Sequence, residues 1–363
     1  MKLRIDRVKP GMFLTKSVYL NNSMPLIFVK EGDSKEITEK ELELLKNKGV
    51  RDLYVDFELP KIGTVSGETE ELAEQILLAN DYGNAVKVAD MITTEILNET
   101  PYSYDLNMYF LQNQDLYNHS VHTTSFAIAL TKKINEDYNM NLNYREIALS
   151  CLLHDVGKNV SLNELAEFKK LSFNRTYFPD ADLSCFDKYD PRCYPIYSWG
   201  KIAKESSISS LVKTSILIQD ENESKTGPLN FDMKQLTVKN NKVALVAKII
   251  NTCSYFDDLL YQVSTGELVE KIKQDISDRK IDKVVGSLLL RYIPIYPVGT
   301  KVILSNGLEA TVIGDNPNYP DRPVISVMMN GIENEFDLLT NTTVTIKEIN
   351  RRDFEFLKSG REK

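Results

Sequence analysis

The chain has only three histidines in 363 residues, His119, His122 and His154, and the third opens the string His154-Asp155-Val156-Gly157-Lys158. Ile147, Ala148, Cys151 and Leu152 form an apolar stripe at helical spacing that runs into His154. His119 stands in a second apolar-periodic segment with Val121 and Ile128. An imidazole on one helix and a His-Asp pair at the end of another can act together only if the two helices pack side by side. The chain is therefore constrained to a helical bundle around these residues. Gly157, just past the pair, suits a helix C-terminal position in left-handed backbone, which predicts His154 and Asp155 in the last turn and Lys158 at the start of a loop.

The period stays helical from about Thr69 to Arg291, with Val86, Ala89, Ile92 and Ile96 as a further example. Residues 1–57 read as a small α+β module: strands over Phe13 to Tyr19, Met24 to Val29 and Asp52 to Val55, a charged turn Lys30-Glu31-Gly32-Asp33, and a helix over Thr38 to Lys48. Residues 58–68, with Pro60, Gly63 and Gly67, read as a linker. Residues 171–195 are polar, aromatic and proline-containing, and predict a long irregular insertion within the helical domain of residues 69–293. From 294 to 350 strand-like runs (Lys301 to Ser305, Ala310 to Ile313, Val324 to Met329, Thr342 to Ile346) are joined by Asn306-Gly307 and Asn330-Gly331 turns, as in a small β-barrel-like tail. Residues 351–363 read as a charged end. The expected fold class is multi-domain and mainly α: a helical bundle flanked by an N-terminal α+β module and a C-terminal β-rich subdomain.

Composition narrows the partners. A net charge of −8 without a basic block argues against an extended nucleic acid, while a small anionic ligand stays open. No apolar run approaches the ~20 residues of a membrane span, and Met1 to Asp6 lacks a signal-peptide core, so a cytoplasmic chain is expected. Of the four cysteines, Cys151 and Cys253 read as buried free thiols. Cys185 and Cys193 share a polar loop, as reduced bystanders or as a pair.

Neutral imidazole and carboxylate suit a divalent Fe, Mn or Zn ion, so His119, His154 and Asp155 are the candidate ligands. Asp115, one helical turn before His119, is a further candidate, as ligand or as orienting group. Lys158 can hold a phosphate as a point charge. His122 reads as a satisfied core or surface histidine, or as an added ligand. The alternative to one bound ion is none: a hydrogen-bonded remnant in which His119 and His154 find partners in the core and Lys158 an acidic neighbour.

At these residues the chain resembles the HD-GYP family of metal-dependent phosphohydrolases, whose founding activity is hydrolysis of cyclic di-GMP. Val8-Lys9-Pro10-Gly11-Met12 resembles the N-terminal module of many members, and Tyr296-Pro297-Val298-Gly299-Thr300 with Arg322-Pro323-Val324 resembles their β-rich tail, so the likeness spans nearly the whole chain. The resemblance also implies losses. Tyr194-Pro195 stands for the family's His-Pro, Gln219-Asp220-Glu221 for His-His-Glu, Gly227-Pro228-Leu229 for Gly-Tyr-Pro, and Ser254 for a later metal-binding aspartate. Asp220, Glu221, Asp257 and Asp258 are the carboxylates left to substitute as ligands. If the chain is active, Asp155 and Lys158 carry the chemistry.

A paired-ion site needs two ions about 3.5–4 Å apart, and no residue set suggests itself for the second. The expectation is a degenerate member, regulatory or binding in cyclic di-GMP-type signalling, with a cyclic dinucleotide, a protein partner or a second copy as its ligand. The alternative is an active phosphohydrolase, either a cyclic di-GMP phosphodiesterase or a mononuclear phosphatase or nucleotidase. A third reading is a dimerisation scaffold.

Overall fold

The computed structural model describes residues 2–5, 8, 13–19, 25–30, 34–56, 67–79, 82–98, 116–171, 184–221, 227–229, 241–293, 295–296, 298–316 and 319–349. Asp115, Lys9 to Met12, Glu31 to Asp33, most of the expected linker, residues 172–183 of the expected insertion, Pro297 and the charged end lie outside them. The chain is mainly helical, with sheets near both ends. It divides into two compact units, Met1–Ile62 with Glu99–Met108 and Pro294–Lys363, and Gly63–Asn98 with Tyr109–Ile293. Among the described residues no helix is long and apolar enough to cross a membrane.

The first unit takes in both flanking segments. Strands β1 (Lys2–Arg4), β2 (Phe13–Leu14), β5 (Lys35–Glu36) and β6 (Asp52–Asp56) form a sheet in the order β1-β6-β2-β5, and β3 (Val18–Tyr19) pairs with β4 (Pro25–Ile27). Helix α1 (Glu39–Asn47) starts where Thr38 and Glu41 form a capping box, so the Thr-x-x-Glu pattern sets its first turn. The C-terminal sheet is β10-β9-β8-β7-β11, from β7 (Lys301–Leu304), β8 (Glu309–Gly314), β9 (Val324–Met329), β10 (Ile332–Asp337) and β11 (Ile346–Ile349). Ile313 and Val324 from this sheet share a core with Leu14, Leu45, Leu53 and Val55. The two flanking segments, described apart in the sequence, thus meet in one unit.

Two strand expectations are corrected. Ile332–Asp337 (IENEFD) is a strand that apolar periodicity misses, because β10 is an edge strand carrying acidic residues on exposed positions. The last strand runs Ile346–Ile349 where Thr342 to Ile346 was expected, since Thr342 and Thr343 are spent on a turn. The Asn330-Gly331 hairpin forms with both residues at positive φ, 52° and 76°, the backbone that a two-residue turn of this type requires.

The second unit holds α2 (Gly67–Ala79), α3 (Ala85–Asn98), α4 (Leu116–Tyr138), α5 (Tyr144–Leu153), α6 (Leu162–Phe168), α7 (Tyr194–Ile202), α8 (Ser210–Leu217), α9 (Asn241–Gln262), α10 (Thr265–Ser277) and α11 (Lys283–Tyr292). Helix α4 is central: every residue from His119 to Thr131 is buried, and it packs on α3, α5 and α9. A helix buried all round needs its polar groups satisfied. Thr124 and Ser125 meet that need by donating to the Ser120 and Val121 carbonyls of their own helix, whereas the Ser120, Thr123 and Thr131 hydroxyls have no hydrogen-bond partner among the described residues. Phe126 meets Phe256 edge-on, with centroids 4.9 Å apart, a contact worth about 0.5–1.5 kcal/mol beyond its buried area that fixes α9 against α4. Cys185 and Cys193 are buried in a core cluster with Ile196 and Tyr197, and they are not joined in a disulfide, as the reading of reduced thiols expected.

Candidate metal centre

Helix α5 is capped at its N-terminus by Asn143, whose side chain accepts from the Arg145 and Glu146 amides, and it ends at Leu153 with His154 as its C-cap. The His154 carbonyl would be an orphan acceptor at this end. It receives the Ser198 hydroxyl of α7 at 2.7 Å and the Gln219 amide at 2.9 Å. Asp155 then opens a 3-10 turn over Val156–Lys158.

Gly157 is not in the left-handed region, contrary to expectation. Its lack of a side chain serves close packing: a Cβ there would lie 2.3 Å from both the Ser198 nitrogen and the Tyr194 carbonyl oxygen. The Gly157 amide donates to Ser198 Oγ at 2.8 Å. Gly157→Ala is therefore expected to destabilise the unit by about 3 kcal/mol, at the upper end of overpacking costs, because backbone has to move. Urea unfolding checks it, and a loss under 1 kcal/mol would contradict the contact.

His119 and His122 are three apart on α4, and Ser254, Asp257 and Asp258 share one face of α9, so the two faces meet. Asp257, fully buried, accepts from His119 Nδ1 at 2.7 Å and His122 Nδ1 at 3.0 Å. His122 is thus a satisfied core histidine. His119 Nε2 points to Ser254 Oγ at 3.1 Å and to Asp155 Oδ2 at 3.3 Å. His154 Nε2 is 3.2 Å from the same Ser254 hydroxyl and 3.5 Å from the same Asp155 oxygen. Its Nδ1 faces the Cys151 carbonyl at 2.6 Å.

A carbonyl only accepts, so His154 carries its proton on Nδ1 and turns a bare Nε2 lone pair to the centre. Burial, the largest influence, pushes this ring down to about 4, so it is neutral at pH 7. His119 is also opposed by burial, yet Asp155 and Asp257 hold it up to about 10. Burial likewise opposes Asp155, but the two imidazoles and the ion-paired Lys158 ammonium hold its carboxyl well below the usual range.

Without a metal the groups form a chain. His119 donates to Asp257 and Ser254, and Ser254 donates to His154. Asp155 Oδ1 stays buried with no hydrogen-bond partner among the described residues. One ligand atom each from His119, His154 and Asp155 lies within 4.8 Å of the others. Donors about 2.0–2.2 Å from a tetrahedral ion stand roughly 3.3–3.6 Å apart, and the imidazole-to-Asp155 separations of 3.3 and 3.5 Å match that spacing. The donor set fits one divalent ion, with Asp257 orienting His119 from behind. His119, Asp257 and Asp258 also cluster, but Asp257 there faces the far ring nitrogen, and Asp258 lies 3.8 Å from that nitrogen.

The other positions singled out by resemblance are spent on protein partners. Tyr194 is bonded to Asp220, which also accepts from Asn251 at 3.3 Å, and burial raises both pKa values. Gln219 is committed to the His154 carbonyl. Glu221 accepts the Leu229 amide at 2.7 Å, inside the turn at Gly227, Pro228 and Leu229. Lys158 lies 5.1 Å over the Tyr194 ring. Sequence reading missed the Ser198 and Gln219 clamps. Neither has a local signal, since each acts across more than forty residues.

No family model matches the chain, and no curated protein matches it. Among solved structures the chain is similar to Bd1817, described as an HDG"Y"P protein from Bdellovibrio bacteriovorus, at 17% identity over 80% of this chain and 97% of that one, with a TM-score of 0.43.

Proposed function

We propose that this chain is a degenerate HD-GYP-type protein whose centre holds a single divalent ion and which acts as a regulatory or binding module, not as a paired-ion cyclic di-GMP phosphodiesterase. The observation that carries this reading is the contrast within the site. His119, His154, Asp155 and Ser254 converge with separations of 3.1–3.5 Å, while Tyr194, Gln219, Asp220 and Glu221 are taken up by protein hydrogen bonds. A cyclic dinucleotide is the proposed ligand class, with a protein partner or a second copy as the route by which occupancy is read. The test is a cyclic di-GMP binding and turnover assay in Mn²⁺ or Fe²⁺. Binding without turnover is expected; turnover at a rate ordinary for enzymes, roughly 1–10³ s⁻¹, would overturn the reading.

The alternative, a mononuclear phosphatase or nucleotidase, is favoured by one observation: Lys158 is about half exposed beside Asp155 and so can meet a phosphate from solvent. A bound ion would supply Lewis acidity, and Lys158 would hold the phosphate. Phosphomonoester hydrolysis lost on His154→Ala would favour it.

Metal uptake is expected to be pH-dependent. The proton on His119 competes with the ion, and the folded pKa of about 10 lies above the working range. Apparent affinity should therefore rise about tenfold per pH unit from pH 6 to 8, one proton leaving per ion bound. Chelator-competition titrations measure this, and a flat profile would contradict the ligand role of His119 Nε2.

A further inference from the structure

A cavity of about 690 Å³ lies in the helical unit, bounded by the residues after α8, by α9, and by the turn between α10 and α11. Five cations line it: Lys248, Lys273, Arg279, Lys280 and Lys283. Three have carboxylate partners, Lys248 with Asp282 at 2.8 Å, Lys273 with Glu270 at 2.8 Å and Lys280 with Asp275 at 2.9 Å. Arg279 and Lys283 have no ion pair among the described residues. The lining carboxylates are themselves engaged: Asp282 with Lys248 and the α11 amides, Glu221 with the Leu229 amide, Asp220 with Tyr194 and Asn251. Arg279 and Lys283 are thus the lining cations without a carboxylate partner among the described residues.

The position of Arg279 adds a second observation. Helix α10 closes with the Arg279 amide on the Ile276 carbonyl at 3.2 Å and the Lys280 amide on the Asp275 carbonyl at 2.9 Å, which puts Arg279 at a left-handed position with φ 61°. Glycine adopts that backbone at lowest cost. This chain places a guanidinium there instead, on the cavity wall. The wall also carries Gln219.

We infer that this cavity is a second binding site, for a small phosphate-bearing ligand gripped by Arg279 and Lys283. A planar guanidinium and a compact ammonium on one rim suit phosphate oxygens, and the volume falls in the range of small-molecule pockets. The Gln219 amide joins the same wall to the His154 carbonyl at 2.9 Å, so occupancy lies one hydrogen bond from the helix end that bears His154 and Asp155. The inference does not depend on the centre holding a metal.

The test is calorimetric titration of the full chain, treated with chelator, with inorganic pyrophosphate at low ionic strength. Wild type should bind, and Arg279→Gly and Lys283→Gln should each weaken binding about tenfold, the loss of one charge-assisted contact. Arg279→Gly also relieves the left-handed backbone, so its Tm should hold or rise and lost binding cannot be ascribed to unfolding. His154→Ala should leave pyrophosphate affinity unchanged. No binding by wild type, binding indifferent to both substitutions, or binding lost only on His154→Ala would overturn the inference. Metal content measured on the same proteins before chelator treatment separates this outcome from failure of the metal centre.

Discussion

Asp257→Ala is expected to destabilise the helical unit by about 3–5 kcal/mol, the cost of removing one partner from a buried charge pair. The carboxylate is fully buried and is the shared acceptor for His119 and His122. Burial works against its ionisation, yet the two imidazole hydrogen bonds keep its pKa low. Without it two buried ring N–H groups lose their acceptor, and His119 loses one of the two carboxylates that keep it charged. Urea unfolding followed by circular dichroism measures the effect. A loss under 1 kcal/mol would mean that His119 is positioned by something other than Asp257.

Ser254→Asp carries the second large effect, and its sign depends on metal. In the metal-free chain the new carboxylate would stand beside Asp155 in the core, so stability should fall by about 1–3 kcal/mol. With metal the hydroxyl is replaced by an anionic oxygen facing His119 and His154, and affinity for Mn²⁺ or Zn²⁺ should rise at least about tenfold, as added ligand charge does elsewhere. Thermal unfolding with and without metal reads both. The variant should be less stable than wild type in chelator and should gain more from saturating metal. Equal metal-induced shifts in the two proteins would show that Ser254 does not face the ion.

The helical frame was legible because its signals are local. The apolar stripe ending at His154 and the Asn330-Gly331 turn each depend on residues close together in the chain. Strand β10 was not legible, because an edge strand need not alternate apolar and polar residues. The role of Gly157 was misread for a related reason: glycine after a helix suggests a backbone angle, whereas its neighbours, Tyr194 and Ser198, arrive from another helix. At the site, His119, His154 and Asp155 could be singled out from motif and spacing, and Ser254 and Asp257 only through the family resemblance. The clamps on the His154 carbonyl, and the bond that ties Tyr194 to Asp220, are tertiary and leave no trace in the order of residues.

The most direct measurement is the metal content of the full chain purified without chelator, by elemental analysis with His154→Ala alongside. The account predicts one divalent ion per chain in the wild type, and its loss in the variant. Two ions per chain, both lost on that substitution, would contradict the claim that a paired-ion centre can no longer form.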